Sequence, residues 1–183
     1  MAIKNKIIRN PKTGQDIRFL VTGKESDGQL LEMESTYNSF SKEPAEHYHP
    51  FQDEDFTVME GELTVRIDGQ LIILKKGDML HIPKYTIHAM WNNNNRKTVV
   101  NWKVRPALFT DNFLETLTGL ASDGKTNEEG MPGLLQVAMI AKKYSDVFRL
   151  SKIPFWFQKY VFCALAPVGY MFGYRAVYKK YID

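Results

Sequence analysis

The sequence predicts a mainly β chain in two parts: a sandwich or barrel of short strands over residues 1–106, then a bundle of about four helices over residues 107–183. Three observations predict it. Apolar and polar residues alternate through most of the first part, at the period of a strand with one buried face. Glycine and asparagine turns break that alternation at regular intervals, as in all-β sandwiches and barrels. Beyond Pro106 the apolar residues recur three and four positions apart, the period of a helix.

The strands can be followed one by one. Ile17, Phe19 and Val21 alternate with polar neighbours, as do Leu31, Met33, Ser35 and Tyr37. Phe56 and Val58 lead to a turn at Glu60-Gly61, and Leu63, Val65 and Ile67 follow it. Asp68-Gly69 is the strongest hairpin signal, because both central residues of a type I′ turn need positive φ. "QLIIL" makes the return strand, and Lys76-Gly77-Asp78 turns into "MLHIP". A strand through His88, a polar loop over residues 92–95, and the alternating Val100, Trp102 and Val104 complete the series.

In the second part, Thr110 or Asp111 caps a helix with Phe113, Leu114, Leu117 and Leu120 on one face. A polar loop over residues 122–130 follows. Pro132 suits the first turn of a second helix bearing Leu134, Leu135, Ala138 and Ala141. Pro154 opens a third helix, and Pro167 with Gly169 separates it from a fourth ending near Tyr181.

Composition narrows the function classes. A chain of 183 residues suits one domain, or one with an appendage, and 44% hydrophobic residues supply a sizeable core. The formal charge is only +3 and no Lys or Arg run resembles a nucleic-acid stripe, so no nucleic-acid partner is expected. The N-terminal "MAIKNKIIRNPKTG" has no apolar run after its charges, and Cys163 has no internal disulfide partner. Both point to a cytoplasmic chain. Residues 155–174 are apolar enough to raise the question of a membrane. Gln158, Lys159, Pro167 and the scattered aromatics favour a packed helical pair, with membrane contact the lesser expectation. Such helices must cover something, either a barrel face or a partner chain, which makes a homodimer the expected assembly.

The chemistry begins at "HYHPFQDEDFTVMEG", residues 47–61. Residues two apart on a strand share a face, so His47 and His49 can point into one cavity. Glu54 has the inward phase of Phe56 and Val58, whereas Asp53 and Asp55 have the opposite phase. Glu54 is therefore the preferred acid. Of the two remaining histidines, His88 is favoured as the fourth ligand, with Met90 next on its face. His81, in "MLHIP", is the surface or hydrogen-bonding residue.

These residues resemble the two cupin motifs. His47, His49, Glu54 and Gly61 fall on the first: His-x-His, three or four residues, Glu, six residues, Gly. Gly77, Pro83, His88 and Asn92 fall on the second: Gly, five residues, Pro-x-Gly, two residues, His, three residues, Asn. Ser41 stands where the first motif often begins with Gly, and Tyr85 replaces the Gly of Pro-x-Gly. The tail resembles that of uncharacterised cupin-domain proteins at Gly133-Leu134-Leu135-Gln136, Leu165-Ala166-Pro167 and Gly173-Tyr174-Arg175. The resemblance implies a double-stranded β-helix, a jelly-roll-like barrel, ahead of the helical extension.

Three imidazoles and a carboxylate suit a divalent transition metal: Fe, Mn, Ni, Cu or Zn. One or two coordination positions would stay open for a small-molecule ligand or substrate. The expected pocket walls are Met33, Phe56, Val58, Leu63, Val65, Met90 and Trp102, a lining for an apolar or aromatic compound. One reading is a metal-dependent oxygenase or isomerase with Glu54 as ligand and catalytic base; the resemblance implies quercetinase-like dioxygenation as one instance. The other is a non-catalytic binding or sensing module. Tyr37 and Tyr85 are the extra proton donors that the sequence offers.

Overall fold

The computed structural model describes residues 2–182. Its strands are β1 (Ile7–Asn10), β2 (Gln15–Val21), β3 (Leu31–Tyr37), β4 (His47–Tyr48), β5 (Asp53–Glu60), β6 (Glu62–Ile67), β7 (Gln70–Lys75), β8 (Met79–Ile82), β9 (His88–Trp91), β10 (Thr98–Arg105) and β11 (Arg149–Leu150). The helices are α1 (Thr110–Ser122), α2 (Leu134–Lys143) and α3 (Phe155–Met171).

Two sheets face each other, one ordered β1-β2-β3-β10-β5-β8 and the other β11-β4-β9-β6-β7. From β3 to β10 the chain changes sheet at every connection except the β6–β7 hairpin, and the pairings are antiparallel. That is a jelly-roll-like sandwich. The inward phase of each strand builds its core: Tyr37, Phe56, Val58, Leu63, Val65, Met90 and Val100 meet between the sheets. A second cluster, with Ile17, Phe19, Leu31, Met33 and Val104, lies where Leu114 of α1 packs on the first sheet.

Two turns depend on glycine. Asp68 and Gly69 have φ of 46° and 83°, both positive as the hairpin signal requires. Gly61 sits at φ +79° between β5 and β6, and a Cβ there would come within 2.6 Å of the Lys97 carbonyl oxygen. Any larger residue would meet both a left-handed backbone and a clash.

Among the described residues the helical part has three helices, not about four. Pro167 lies inside α3, and the chain stays helical to Met171. Proline deprives the carbonyl of residue 163 of its helical partner, but that side of α3 is exposed and water can replace the bond. The stop comes at Gly173, φ +84°, where the N–H groups of Gly173 and Tyr174 return to the carbonyls of Tyr170 and Gly169. Gly169 is a packing residue instead: a Cβ there would lie 3.3 Å from Met139 of α2. The segment expected as a fourth helix forms turns, which bring the Tyr181 ring onto Gly119 of α1.

The tail also contributes to the sheets. β11 extends the second sheet by pairing with β4, so Leu150 lies opposite His47.

Candidate metal centre

β4 carries His47 between two partners, His88 of β9 on one side and Leu150 of β11 on the other. This pairing explains how histidines 41 residues apart in sequence meet. His49 follows β4 and is buried, and Glu54 reaches the same point from β5 in the facing sheet. Along β5 the buried residues are Glu54, Phe56 and Val58, the inward phase. Asp53 and Asp55 lie on the other face, where Asp53 accepts from the Lys84 N–H and Asp55 pairs with Arg105 and with His81. His81 is thus a surface hydrogen-bonding residue.

One ligand nitrogen from each of His47, His49 and His88 lies within 4.8 Å of the others. Glu54 Oε2 is 3.0 Å from His88 Nε2 and 3.3 Å from His49 Nε2. Each Nδ1 meets a backbone carbonyl: Ala45 at 3.0 Å for His47, Val147 at 2.5 Å for His49, and Thr86 at 3.0 Å for His88. A carbonyl only accepts, so each Nδ1 is the protonated nitrogen, and the Nε2 lone pairs are directed inward. The carboxylate is oriented from behind, because Trp102 Nε1–H donates to Glu54 Oε1 at 2.9 Å. Among the described residues, His49 Nε2 and Glu54 Oε2 are buried with no hydrogen-bond partner. Such orphaned polar atoms are costly unless something coordinates them. A divalent transition ion fits this donor set.

The family model described as Cupin domain matches residues 37–102, spanning both halves of the site. An uncharacterized protein of Aquifex aeolicus (strain VF5) is 33% identical over 99 residues, 48% of this chain and 80% of that one. This chain belongs to the cupin superfamily. Quercetin 2,3-dioxygenase of Bacillus subtilis (strain 168) is 34% identical over 106 residues, 57% of this chain. The chain spans 31% of that enzyme's length. Among solved structures, a predicted oxalate decarboxylase from Thermotoga maritima superposes with a TM-score of 0.50 at 16% identity, over 58% of this cupin and 99% of that chain. At that identity the likeness concerns the fold alone.

The two motif departures in this cupin have physical accounts. Tyr85 takes the glycine conformation itself, φ +68°, and its N–H donates to the His49 carbonyl at 2.8 Å. The turn is therefore kept, at the strain of a non-glycine residue there. Ser41 Oγ accepts the Asn92 N–H at 2.8 Å, tying the first motif to the second. Asn92 in turn donates to the carbonyls of Tyr37, Asn38 and Arg96 and holds its loop closed.

A cavity of about 150 Å³ opens over the site. Of the expected walls, Phe56, Met90 and Trp102 line it. Met33, Val58, Leu63 and Val65 do not: all four are sealed in the core at 0–1% exposure. They share the inward phase, but alternation does not say how deep the barrel is filled. The roof comes from the tail: Phe113, Leu114 and Leu117 of α1, and Phe148 before β11. Phe148 stacks on His47 with ring centres 4.6 Å apart. The helical spacing of residues 113, 114 and 117 marks a buried face in the sequence, but not the surface that it covers. Nothing in the sequence marks Val147, Phe148 or Gln52. Gln52 Nε2 donates to the carbonyls of Pro106 and Ala107 and to Thr110 Oγ1, fixing the start of α1 over the cavity.

The two tyrosines separate. Tyr37 lines the cavity. Burial, with Glu54 nearby, pushes its phenol above the ordinary value despite a hydrogen bond with Ser35, so it remains a neutral donor. Tyr85 is 57% exposed, beside Tyr48 on the surface.

Without metal the ionisable groups balance one another. Burial opposes every charge here. At His47 burial comes first, and the neighbouring His88 and His49 add to it, holding the ring well below the ordinary imidazole value. Burial likewise disfavours a charge on His49, but Glu54 and the Val147 carbonyl outweigh it and raise His49. Burial would raise Glu54, yet His49 and His88 hold it well below the usual carboxylate range. The raised His49 stabilises the fold below its ordinary 6.5, and this contribution is lost as pH rises through the raised value. The lowered Glu54 stabilises above its ordinary 4.5, and its contribution is lost as pH falls through the depressed value. Both contributions are complete only between about 4.5 and about 6.5. A metal needs the same His49 lone pair, so binding must expel this proton. Metal affinity is expected to climb as pH rises through the raised value of His49, with proton release on binding, visible by calorimetry in buffers of different ionisation enthalpy. A flat profile would contradict the His49–Glu54 assignment.

Trp102→Phe keeps an aromatic ring facing Phe56, whose ring centre is 5.7 Å from the indole, and removes the N–H that holds Glu54 together with part of the ring packed against the core. Loss of an outer partner of this kind is expected to weaken metal binding about 10–100-fold, beside a lower melting temperature from the lost ring volume. An unchanged metal Kd would separate Glu54 from the centre.

Proposed function

We propose that this cupin is a metal-dependent enzyme, an oxygenase or isomerase, acting on an apolar or aromatic small molecule. One observation carries the reading: the inward nitrogens of His47, His49 and His88 and the Glu54 carboxylate converge on the floor of a cavity walled by Phe56, Met90, Trp102, Phe113 and Phe148. The bound ion, held by the three histidines and Glu54, would supply Lewis acidity or one-electron chemistry at an open coordination position. The protein's own part is positional. Phe113, Leu117 and Phe148 exclude water and hold a planar ring by stacking. Glu54 is the base for a substrate proton: with Oε1 held by the Trp102 N–H, Oε2 would exchange between the ion and that proton. Tyr37 is the donor that could protonate or orient a substrate oxygen.

The similarity to quercetin 2,3-dioxygenase over 57% of this chain supports dioxygenation as the reaction to test first. The test is oxygen uptake by the metal-reconstituted chain with flavonols and simpler catechol-like compounds. Uptake that requires metal and disappears in His88→Ala supports the proposal. Saturable binding of the same compounds without uptake would establish the second reading, a binding or sensing module. One feature favours that alternative: among the described residues, apart from the candidate ligands and the Trp102 N–H already on Glu54, only Gln15, Tyr37 and Thr110 bring polar side chains to the cavity.

A further inference from the structure

Helix α3 is apolar on nearly every side but covered on only one. Its inner residues, Phe162, Ala166 and Gly169, are buried, with Gly169 close against Met139 of α2. Its outer stripe is bare among the described residues: Trp156 is 64% exposed and Tyr160 68%, and near its end Met171 and Phe172 are 84% and 74% exposed. A helix that is apolar all round normally has cover all round. Something outside the described chain therefore belongs on this face.

Charge indicates what it is. Residues 142–182 carry eight Lys and Arg against one acid, Asp146. The rest of the chain holds the other sixteen basic and twenty acidic residues of the total 24 and 21. The barrel, residues 1–106, is close to neutral with fifteen basic and fourteen acidic residues, and the acid excess lies in residues 107–141, so the positive charge gathers on the C-terminal stretch that holds α3. Lys159 stands in the outer stripe, and Lys142 and Lys143 border the groove that Pro167 and Tyr170 line. A second copy meeting this face about a two-fold axis would oppose lysines to lysines. An anionic lipid surface complements them, and the Trp156, Tyr160 and Tyr170 rings suit the headgroup level. Among the described residues no helix is long and apolar enough to cross a membrane, so contact would be from one side.

We propose that α3 lies flat on an anionic bilayer surface, its outer aromatic stripe entering the headgroup boundary and Lys142, Lys143 and Lys159 neutralising lipid phosphates. This proposal is independent of the metal site. The experiment is co-sedimentation of the full chain with vesicles of phosphatidylcholine alone and of phosphatidylcholine with phosphatidylglycerol in equal parts, with light scattering of the chain alone. Binding is expected only to the anionic vesicles and is expected to weaken with salt. Lys142→Glu with Lys143→Glu and Lys159→Glu, and separately Trp156→Ser with Tyr160→Ser, should each lower the partition coefficient about 10-fold or more. Circular dichroism checks that these exposed substitutions leave the fold intact. Three results would overturn the proposal: no vesicle binding, equal binding to both vesicle types, or binding that neither variant reduces. A dimer that the Trp156→Ser variant dissociates would also overturn it, by assigning the face to a second copy.

Discussion

His88→Ala is expected to leave a folded chain that no longer retains metal through purification. The imidazole is 2% exposed, with Nδ1 anchored on Thr86 and Nε2 3.0 Å from Glu54. Outer partners of metal ligands are typically worth 10–100-fold in affinity, so removing a ligand should cost more than about 100-fold. The fold should survive, because β9 keeps its backbone pairing and the neighbouring core residues are untouched. There is a second consequence. Glu54 loses one of the two imidazoles that keep it ionised, so its carboxyl moves up towards the ordinary range. Elemental analysis of the purified variant, alongside the parent chain, checks this. Equal metal content in the two would eliminate the site as described.

Phe148→Ala should act on metal binding from the other side of the chain. The ring stacks on His47, packs 5.0 Å from Phe113, and follows directly on Val147, whose carbonyl fixes the His49 tautomer. Its removal merges the cavity with the space beneath α3 that Phe148 also borders. A fully buried Phe→Ala change costs roughly 3–5 kcal/mol, and Phe148 is half-buried, so about 2–3 kcal/mol is expected. Metal affinity should fall within the 10–100-fold range of a lost outer partner, because His47 and His49 both lose support. Thermal unfolding and a metal titration together decide the matter. A stability loss with unchanged metal affinity would make the tail a cover for the barrel and nothing more.

The legible parts of this molecule are those that follow from local periodicity. Strand phase separates Glu54 from Asp53 and Asp55, since alternate side chains must face opposite ways. The glycine at the Asp68-Gly69 turn and the inward run of β5 and β6 are legible for the same reason. Depth is not. Val58, Leu63 and Val65 have the right phase for the pocket but sit in filled core, because phase carries no information on how far the barrel is packed. Long-range closure is hidden as well. The Val147 carbonyl meets His49 across 98 residues through a backbone atom that every residue type possesses. Pro167 misleads for a related reason: on an exposed side near the end of a helix, a proline costs one bond that solvent can replace.

The imidazoles of His47, His49 and His88 and the Glu54 carboxylate are proposed to hold a single ion. X-ray absorption fine structure of the reconstituted full chain tests it most directly. One ion per chain is expected, with imidazole scattering from three histidines and nitrogen and oxygen neighbours at about 2.0–2.2 Å. Failure to load one ion per chain, sulfur in the first shell, or a spectrum that His88→Ala leaves unchanged would contradict it.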